Sequence, residues 1–428
     1  MSFADRLALF ALPGGGRLAV LVNPHAPTVT LAGHLEAGVS RITDGRYSVA
    51  GLTAAMLDRG SERHDRIALA RELEDHGLHV GVGTSTSSPT VVRMSGQGLA
   101  EQLPRLVGLL TEILRQPTFP EDELERLRTR VLGGLVRERE ETFANAFAAL
   151  TRRLYPIGHP MHRRPVEVRE AEVAAIRRGD LVEFHSEAYE PSSLTVAVVG
   201  DVEPQTVAAM LADHLEGWEG VGIPEPLLPA PADTAGGEEL VHIPDRPNLD
   251  VLLGHAGRLR RGDPDEPGAV IGNACLGQST LTSRLGRVLR DEQGLTYGIY
   301  SRFFGKLAVP GPWAIFLTVS PDALRKAEAL CRRETERFLA DGPSVDELQE
   351  ERTAAAGAYR VALATNDGVA RELASALASD EGLSRLDSYP EKLLRVSRAE
   401  VMAAVERHIH PERLVLAAAG SITPSSGE

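Results

Sequence analysis

The run LTVAVVGDVEP at 194–204 returns 220 residues later as LVLAAAGSITP at 414–424. A chain with such an echo is built from two copies of one domain. Each run reads as an apolar strand ending in Gly, one residue, an aliphatic, one residue and Pro. Both follow helix-like stretches that end in Pro at the same offset, GDLVEFHSEAYEP (179–191) and AEVMAAVERHIHP (399–411). A second pair, DELERLRTRVLGG (122–134) and DELQEERTAAAGA (346–358), matches at an offset of 224 and opens a long helix in each half. A third, LEDHGLHVGV (73–82) against RDEQGLTYGI (290–299), matches at 217, an offset that Gly60 and Gly277 share. Three collinear matches whose offsets drift by a few residues describe an internal duplication with small insertions.

The 428 residues, 43% apolar and 25% charged, exceed one ordinary core and fit two. The seam falls in GVGIPEPLLPAPADTAGGEE (220–239), whose Pro, Gly and Ala read as an exposed linker. We therefore expect a first domain over 1–222, a linker over 223–237 and a second domain over 238–428. LAVLVN (18–23), TVTLAGHLEAG (28–38), VLLGHAG (251–257) and WAIFLTVS (313–320) read as sheet strands. Helical periodicity runs through 99–116, from Glu121 to about Arg153, and from Ala323 to Leu339. Strands at both ends of each half with helices between indicate an α+β fold, two duplicated domains of about 200 residues, each a mainly antiparallel sheet covered by helices.

A formal charge of −14 without a Lys/Arg cluster argues against a nucleic-acid partner, and suits a peptide substrate. The longest apolar runs are strand-length, so no membrane span is expected. The N-terminus lacks a basic stretch before its apolar patch, which points to a cytoplasmic protein. Cys275 and Cys331 are too few for a disulfide framework and fall in apolar helical patterns.

One junction looks like machinery. In SRLGRVLRDEQGLTYGIYS (283–301) a helix is expected to Gln293, a stop at Gly294 and a strand from near Leu295. Arg290 would then sit on the last helical turn and Tyr297 on the first strand residues, two hydrogen-bond donors converging on one point. A solvated helix-end cation and a half-buried strand aromatic fit the same spacing. The first copy has Leu73 and Val80 at these positions, so the polar pair is particular to the second copy.

These features resemble the pitrilysin/insulinase family of zinc peptidases, in particular its two-domain, processing-peptidase-like members. The duplicated half, the strand-Gly-x-aliphatic-x-Pro ending, the SRL run (283–285) and the Arg-x6-Tyr spacing carry the resemblance. It implies that the second domain supplies Arg290 and Tyr297 to a site whose zinc lies on a first domain, of the same or a partner chain. The family's zinc motif is His-x-x-Glu-His on the first helix. Aligned on MLDRG (56–60), its positions hold Gly51, Leu52, Thr53, Ala54 and Ala55, with neither histidine nor base. The third ligand, a later Glu, falls near Gly133 and Gly134. None of the thirteen His replaces the set; the one spaced pair, Glu72 and His76, suits a surface contact. The expectation is no metal on this chain.

The resemblance implies a non-metal-binding subunit of a heterodimeric zinc peptidase, inactive alone, whose homologous partner carries the zinc. In that arrangement Arg290 and Tyr297 bind the peptide and stabilise the tetrahedral intermediate. The preceding loop LGQSTLTSRL (276–285) offers Gly277, Ser279 and Thr280 as substrate-binding residues, while a helix-capping turn at Ser279 or Thr280 fits equally. Two other functions fit the lost zinc residues: a catalytically silent structural or assembly subunit, and a homodimeric peptide-binding protein.

Overall fold

The computed structural model describes residues 2–422 apart from 86–87, 221, 223–227, 233–235, 306, 308 and 380–381. Most of the expected linker, and Thr423 and Pro424 of the second strand ending, lie outside the described residues.

Among the described residues, eleven strands form two sheets. The first half gives β1 (Leu7–Ala11), β2 (Arg17–Val22), β3 (Thr28–Leu35), β4 (His79–Ser85), β5 (Ser88–Leu99) and β6 (Thr195–Gly200). The second gives β7 (Glu238–His242), β8 (Leu249–His255), β9 (Ile299–Phe303), β10 (Trp313–Val319) and β11 (Val415–Gly420). The strand orders are β1-β2-β6-β3-β5-β4 and β7-β11-β8-β10-β9. Without β1, the second order repeats the first strand for strand. Even the single parallel pair recurs, β2 with β6 and β7 with β11, in otherwise antiparallel sheets. The duplication read from sequence is thus a duplication of topology, and the α+β layering follows. Strand β1, which extends only the first sheet, has no signal in the repeat.

The helices repeat too. The first half contains α1 (Ser48–Met56), α2 (Arg66–Asp75), α3 (Leu103–Arg115), α4 (Glu121–Glu138), α5 (Thr142–Leu154), α6 (Val166–Ala175), α7 (Arg178–Ala188) and α8 (Pro204–Leu215). The second contains α9 (Glu266–Asn273), α10 (Leu324–Asp341), α11 (Val345–Ala362), α12 (Asn366–Ala378), α13 (Arg385–Arg395) and α14 (Arg398–His408). Caps fix several starts: Asp65 accepts from the Ile67 and Ala68 amides, and Ser397 forms a capping box with Glu400.

The helix expected from Glu121 to about Arg153 is two helices. Asn145 Nδ2 donates to the carbonyls of Glu138 and Glu141 at 2.7 and 2.9 Å, taking up acceptors that a continuous helix would use. The chain turns there, and α5 sets off against a sheet of its own. Helix α5, from the first half of the sequence, packs Ala146, Ala149 and Leu150 on the second sheet against Leu252, Val415 and Ala417. Helix α12, from the second half, packs Val369, Ala370, Leu373 and Ala374 on the first sheet against Leu21, Ala32 and Val199. The halves exchange a helix. Consequently the compact units are discontinuous in sequence: Met1–Gly133, Arg169–Leu227 and Tyr359–Tyr389 form one, and Gly134–Val168, Leu228–Ala358 and Pro390–Glu428 the other.

No described helix is long and apolar enough to cross a membrane.

Candidate functional site

The expected junction is present in modified form. After Leu285 the chain winds a π-helical segment, Gly286–Glu292, and Gly294 takes a left-handed φ of 60° that stops it. Arg290 lies in the last turn of that segment, and its guanidinium donates to the neighbouring Asp291 carboxylate at 2.7 Å. The strand does not begin at Leu295 but at Ile299. A turn intervenes because Thr296 Oγ1 donates to the Gly298 carbonyl at 2.8 Å and accepts from the Gly298 amide, folding the backbone back across Tyr297. Tyr297 stands at the tip, 99% exposed. Among the described residues no hydrogen bond joins Arg290 to Tyr297.

The turn is held from its far side by Thr280. That hydroxyl donates to the Ile299 carbonyl at 2.9 Å and accepts from the Ile299 amide at 3.3 Å. One threonine therefore occupies both outward-facing backbone groups of the first residue of β9, the open edge of the second sheet. Two residues on, Asn273 Nδ2 donates to the Ser301 carbonyl at 3.0 Å. Asn273 is a buried hub, since its Oδ1 accepts from Ser301 Oγ and Trp313 Nε1, both at 2.8 Å. Side chains thus stand where another strand would pair, a common way of closing a sheet edge. Beside this edge lies a cleft of about 540 Å³ lined by Asn273, Gln278, Thr280, Tyr300, Ser301 and Arg302. Arg302 stacks its guanidinium over the rings of both Tyr300 and Phe304, 5.3 Å from each centroid.

Three loop residues expected at the substrate divide differently. Gly277 is buried, and a Cβ there would stand 2.5 Å from Ser301 Oγ and 2.8 Å from a Leu285 methyl, so packing demands glycine. Ser279 Oγ accepts from the Leu281 and Thr282 amides at 3.3 Å and closes a turn in the loop, whereas the next helix, from residue 284, has Ser283 Oγ accepting from the Gly286 amide, so neither Ser279 nor Thr280 is its N-cap. Thr280 lines the cleft, but its hydroxyl is committed to Ile299. Thr296 and Asn273 were missed by sequence reasoning. The signal for Thr296 was local, a threonine two residues before glycine at a helix-to-strand crossing. Asn273 was the one uncharged amide in the apolar run GAVIGNACLG (268–277).

The zinc-motif positions all fall on α1. Leu52, Thr53 and Ala54 are buried, and Thr53 Oγ1 has no hydrogen-bond partner. A Cβ on Gly51 would meet only Thr84 Oγ1, at 3.9 Å. None of these groups ligates a metal. Gly133 and Gly134 lie within α4. Among the described residues, no group of three or more His, Cys, Asp and Glu could hold a metal ion. Several histidines make structural contacts. His76 Nδ1 bonds the Glu72 carbonyl at 2.9 Å while the Glu72 carboxylate is paired with Arg105. His159 stacks on Tyr155 at 4.4 Å, and burial pushes its pKa down to about 4. His408 Nε2 pairs with Asp265 at 2.8 Å.

Two sheets of one topology, exchanged helices and a first helix stripped of ligands define a two-domain peptidase-type fold without a metal motif. The family model described as "Peptidase M16 inactive domain" matches residues 175–355. The chain is 23% identical to "Non-peptidase homolog YmxG" of Helicobacter pylori over 315 residues, 73% of this chain and 70% of that protein. It is 22% identical over 323 residues to the probable mitochondrial-processing peptidase subunit beta of Schizosaccharomyces pombe, covering 72% of this chain and 68% of that one. Among solved structures, a peptidase M16 inactive domain from Pseudomonas fluorescens shares the fold with a TM-score of 0.88 at 24% identity, over 99% of this chain and all of the other. A protease from Helicobacter pylori follows at 0.83 and 18%, over 96% and 99%. The chain thus resembles inactive M16 peptidase domains over residues 175–355 and shares their fold.

Proposed function

We propose that this chain is the non-zinc subunit of a heterodimeric zinc peptidase, presenting Tyr297 to a peptide held at a homologous partner's metal. The observation that carries this reading is the presentation of Tyr297: a fully exposed phenol at the tip of a turn that Thr296 and Thr280 clamp from both sides. Fixing the backbone of such a turn costs entropy, and a scaffold gains nothing from spending it to display an exposed phenol. In the complex the zinc supplies the activated water, and the phenol donates to the carbonyl oxygen as negative charge develops there. Arg290 sits nearby for an adjacent backbone carbonyl and has to exchange its Asp291 contact for that role.

That Asp291 contact favours a second reading, in which the chain is a silent peptide-binding or assembly subunit and the pair does no chemistry. A cleavage assay with a zinc-bearing homologue separates the two. Under the first reading Tyr297→Phe lowers the rate on the order of 10²–10³-fold, the usual loss for one oxyanion donor. Full activity in the mutant removes the catalytic role of Tyr297.

A further inference from the structure

Arg302 is a cation without an acid. The chain holds 60 Asp and Glu against 46 Lys and Arg, and other arginines of the same compact unit find carboxylates: Arg284 pairs with Glu347 at 2.7 Å, Arg325 with Glu238 at 2.7 Å and Arg407 with Asp265 at 2.9 Å. Among the described residues Arg302 has neither an ion pair nor a hydrogen bond, only its two aromatic neighbours. Asp250, the acid whose charge reaches Tyr300, is taken up by the hydroxyls of Thr142 and Thr318, both at 2.6 Å.

The guanidinium is nevertheless held in place. Tyr300, Arg302 and Phe304 alternate along one face of β9 and its continuation. Both rings that Arg302 covers are packed in turn, Tyr300 against Phe316 with centroids 4.9 Å apart and Phe304 against Phe147 at 5.2 Å. Stacking uses the face of a guanidinium and leaves the N–H donors at its edge available. Arg302 lines the cleft beside β9, and no described lining residue is acidic. Its neighbours in the wall are donors instead, the Gln278 amide and the Tyr300 phenol, neither of them hydrogen-bonded among the described residues. Burial holds the Tyr300 pKa above its ordinary value although the Arg302 charge pulls it down, so the phenol keeps its proton at neutral pH. The remaining polar groups of the wall are committed, Thr280 to Ile299 and Asn273 to Ser301.

One preorganised guanidinium flanked by uncharged donors fits a carboxylate, which brings a single negative charge and two acceptor oxygens. We propose that this cleft is a carboxylate subsite, in which Arg302 and Gln278 hold an acidic group of the bound peptide. The inference rests on the reading that a peptide lies beside Tyr297. Arg302 follows Tyr297 by five residues, so the two lie at most about 17 Å apart. The acidic group is therefore expected within about five peptide positions of the bond that meets Tyr297. An Asp or Glu side chain and a C-terminal carboxylate offer the same chemistry to the cleft.

The test is isothermal titration calorimetry of the full chain with three acetylated Ala/Ser decapeptides: one with a central Glu and an amidated end, one with a central Gln and an amidated end, and one with a central Gln and a free C-terminal carboxylate. Binding of a carboxylate-bearing peptide about tenfold tighter than the neutral one is expected, the scale of one charge-assisted hydrogen bond in a partly exposed site. Which of the two is preferred assigns the source. Arg302→Gln is expected to abolish the preference. Arg302→Lys, which keeps the charge without the fork, should retain only part of it, and carries the test if the first variant does not fold. Equal binding of all three peptides, no binding at millimolar concentration, or a preference undiminished in the variant overturns the proposal. The two readings fail separately: a chain that supports no cleavage still shows the preference if the subsite is real, and a missing preference leaves the effect of Tyr297→Phe on cleavage as it was.

Discussion

Leu373→Ala tests the helix exchange. Leu373 belongs to the second half of the sequence, yet its fully buried side chain sits in the core of the first sheet with Leu21, Ala32 and Val199. Truncating it removes three carbons from a site walled by strands that have little freedom to collapse. The expected cost is about 3 kcal/mol, within the usual range for a core leucine. At about 1.4 kcal/mol per decade, that corresponds to roughly a hundredfold faster amide exchange where protection depends on this core. The assay is hydrogen exchange read by mass spectrometry, strand by strand. The increase is expected in Thr28–Leu35 and Thr195–Gly200, more than 170 residues away in sequence, with Leu249–His255 and Val415–Gly420 spared. Leu150→Ala in α5 gives the mirror image, exposing the second sheet from the first half. Loss of protection in the second sheet on Leu373→Ala, equal to or greater than in the first, refutes the exchange.

Two further outcomes follow from local chemistry. Burial raises the Glu347 pKa, but the Arg284 guanidinium, bonded at 2.7 and 2.9 Å, and the Ser344 amide outweigh it and hold it at about 2. A folded pKa below the ordinary 4.5 gives stability that is present above that value and lost as pH falls towards 2. Glu347→Gln is therefore expected to cost about 2 kcal/mol at pH 7 in urea denaturation, the shift's worth discounted for partial exposure; the difference should shrink as pH falls from 4.5 to about 2, and a constant difference contradicts the assignment. Gly277→Ala should cost about 1–3 kcal/mol by overpacking against Ser301 and Leu285. An unchanged melting temperature would show that this contact relaxes freely.

Legibility followed the range of the interactions. The repeat was readable because strand endings and helix starts are local patterns, and both copies kept them. The glycine stop at Gly294 was readable for the same reason. Strand β9 was placed four residues early because Leu295 and Tyr297 look like strand residues, and the Thr296–Gly298 turn that overrides them is set by one hydroxyl. The exchange of α5 and α12 left no mark: Ala146, Ala149 and Leu150 form an apolar stripe that would suit either sheet, and only the three-dimensional path decides which. Likewise, Thr280 reads as a loop hydroxyl free for substrate until Ile299 is found on both sides of it.

Under the proposed function this chain holds no zinc of its own and acts only at a partner's metal. The most direct test is zinc stoichiometry, measured by emission spectroscopy on the isolated chain after zinc loading and removal of free metal. Gly51, Ala54 and Ala55 in place of the ligands predict essentially no zinc per chain. One tightly held zinc per chain would contradict the account.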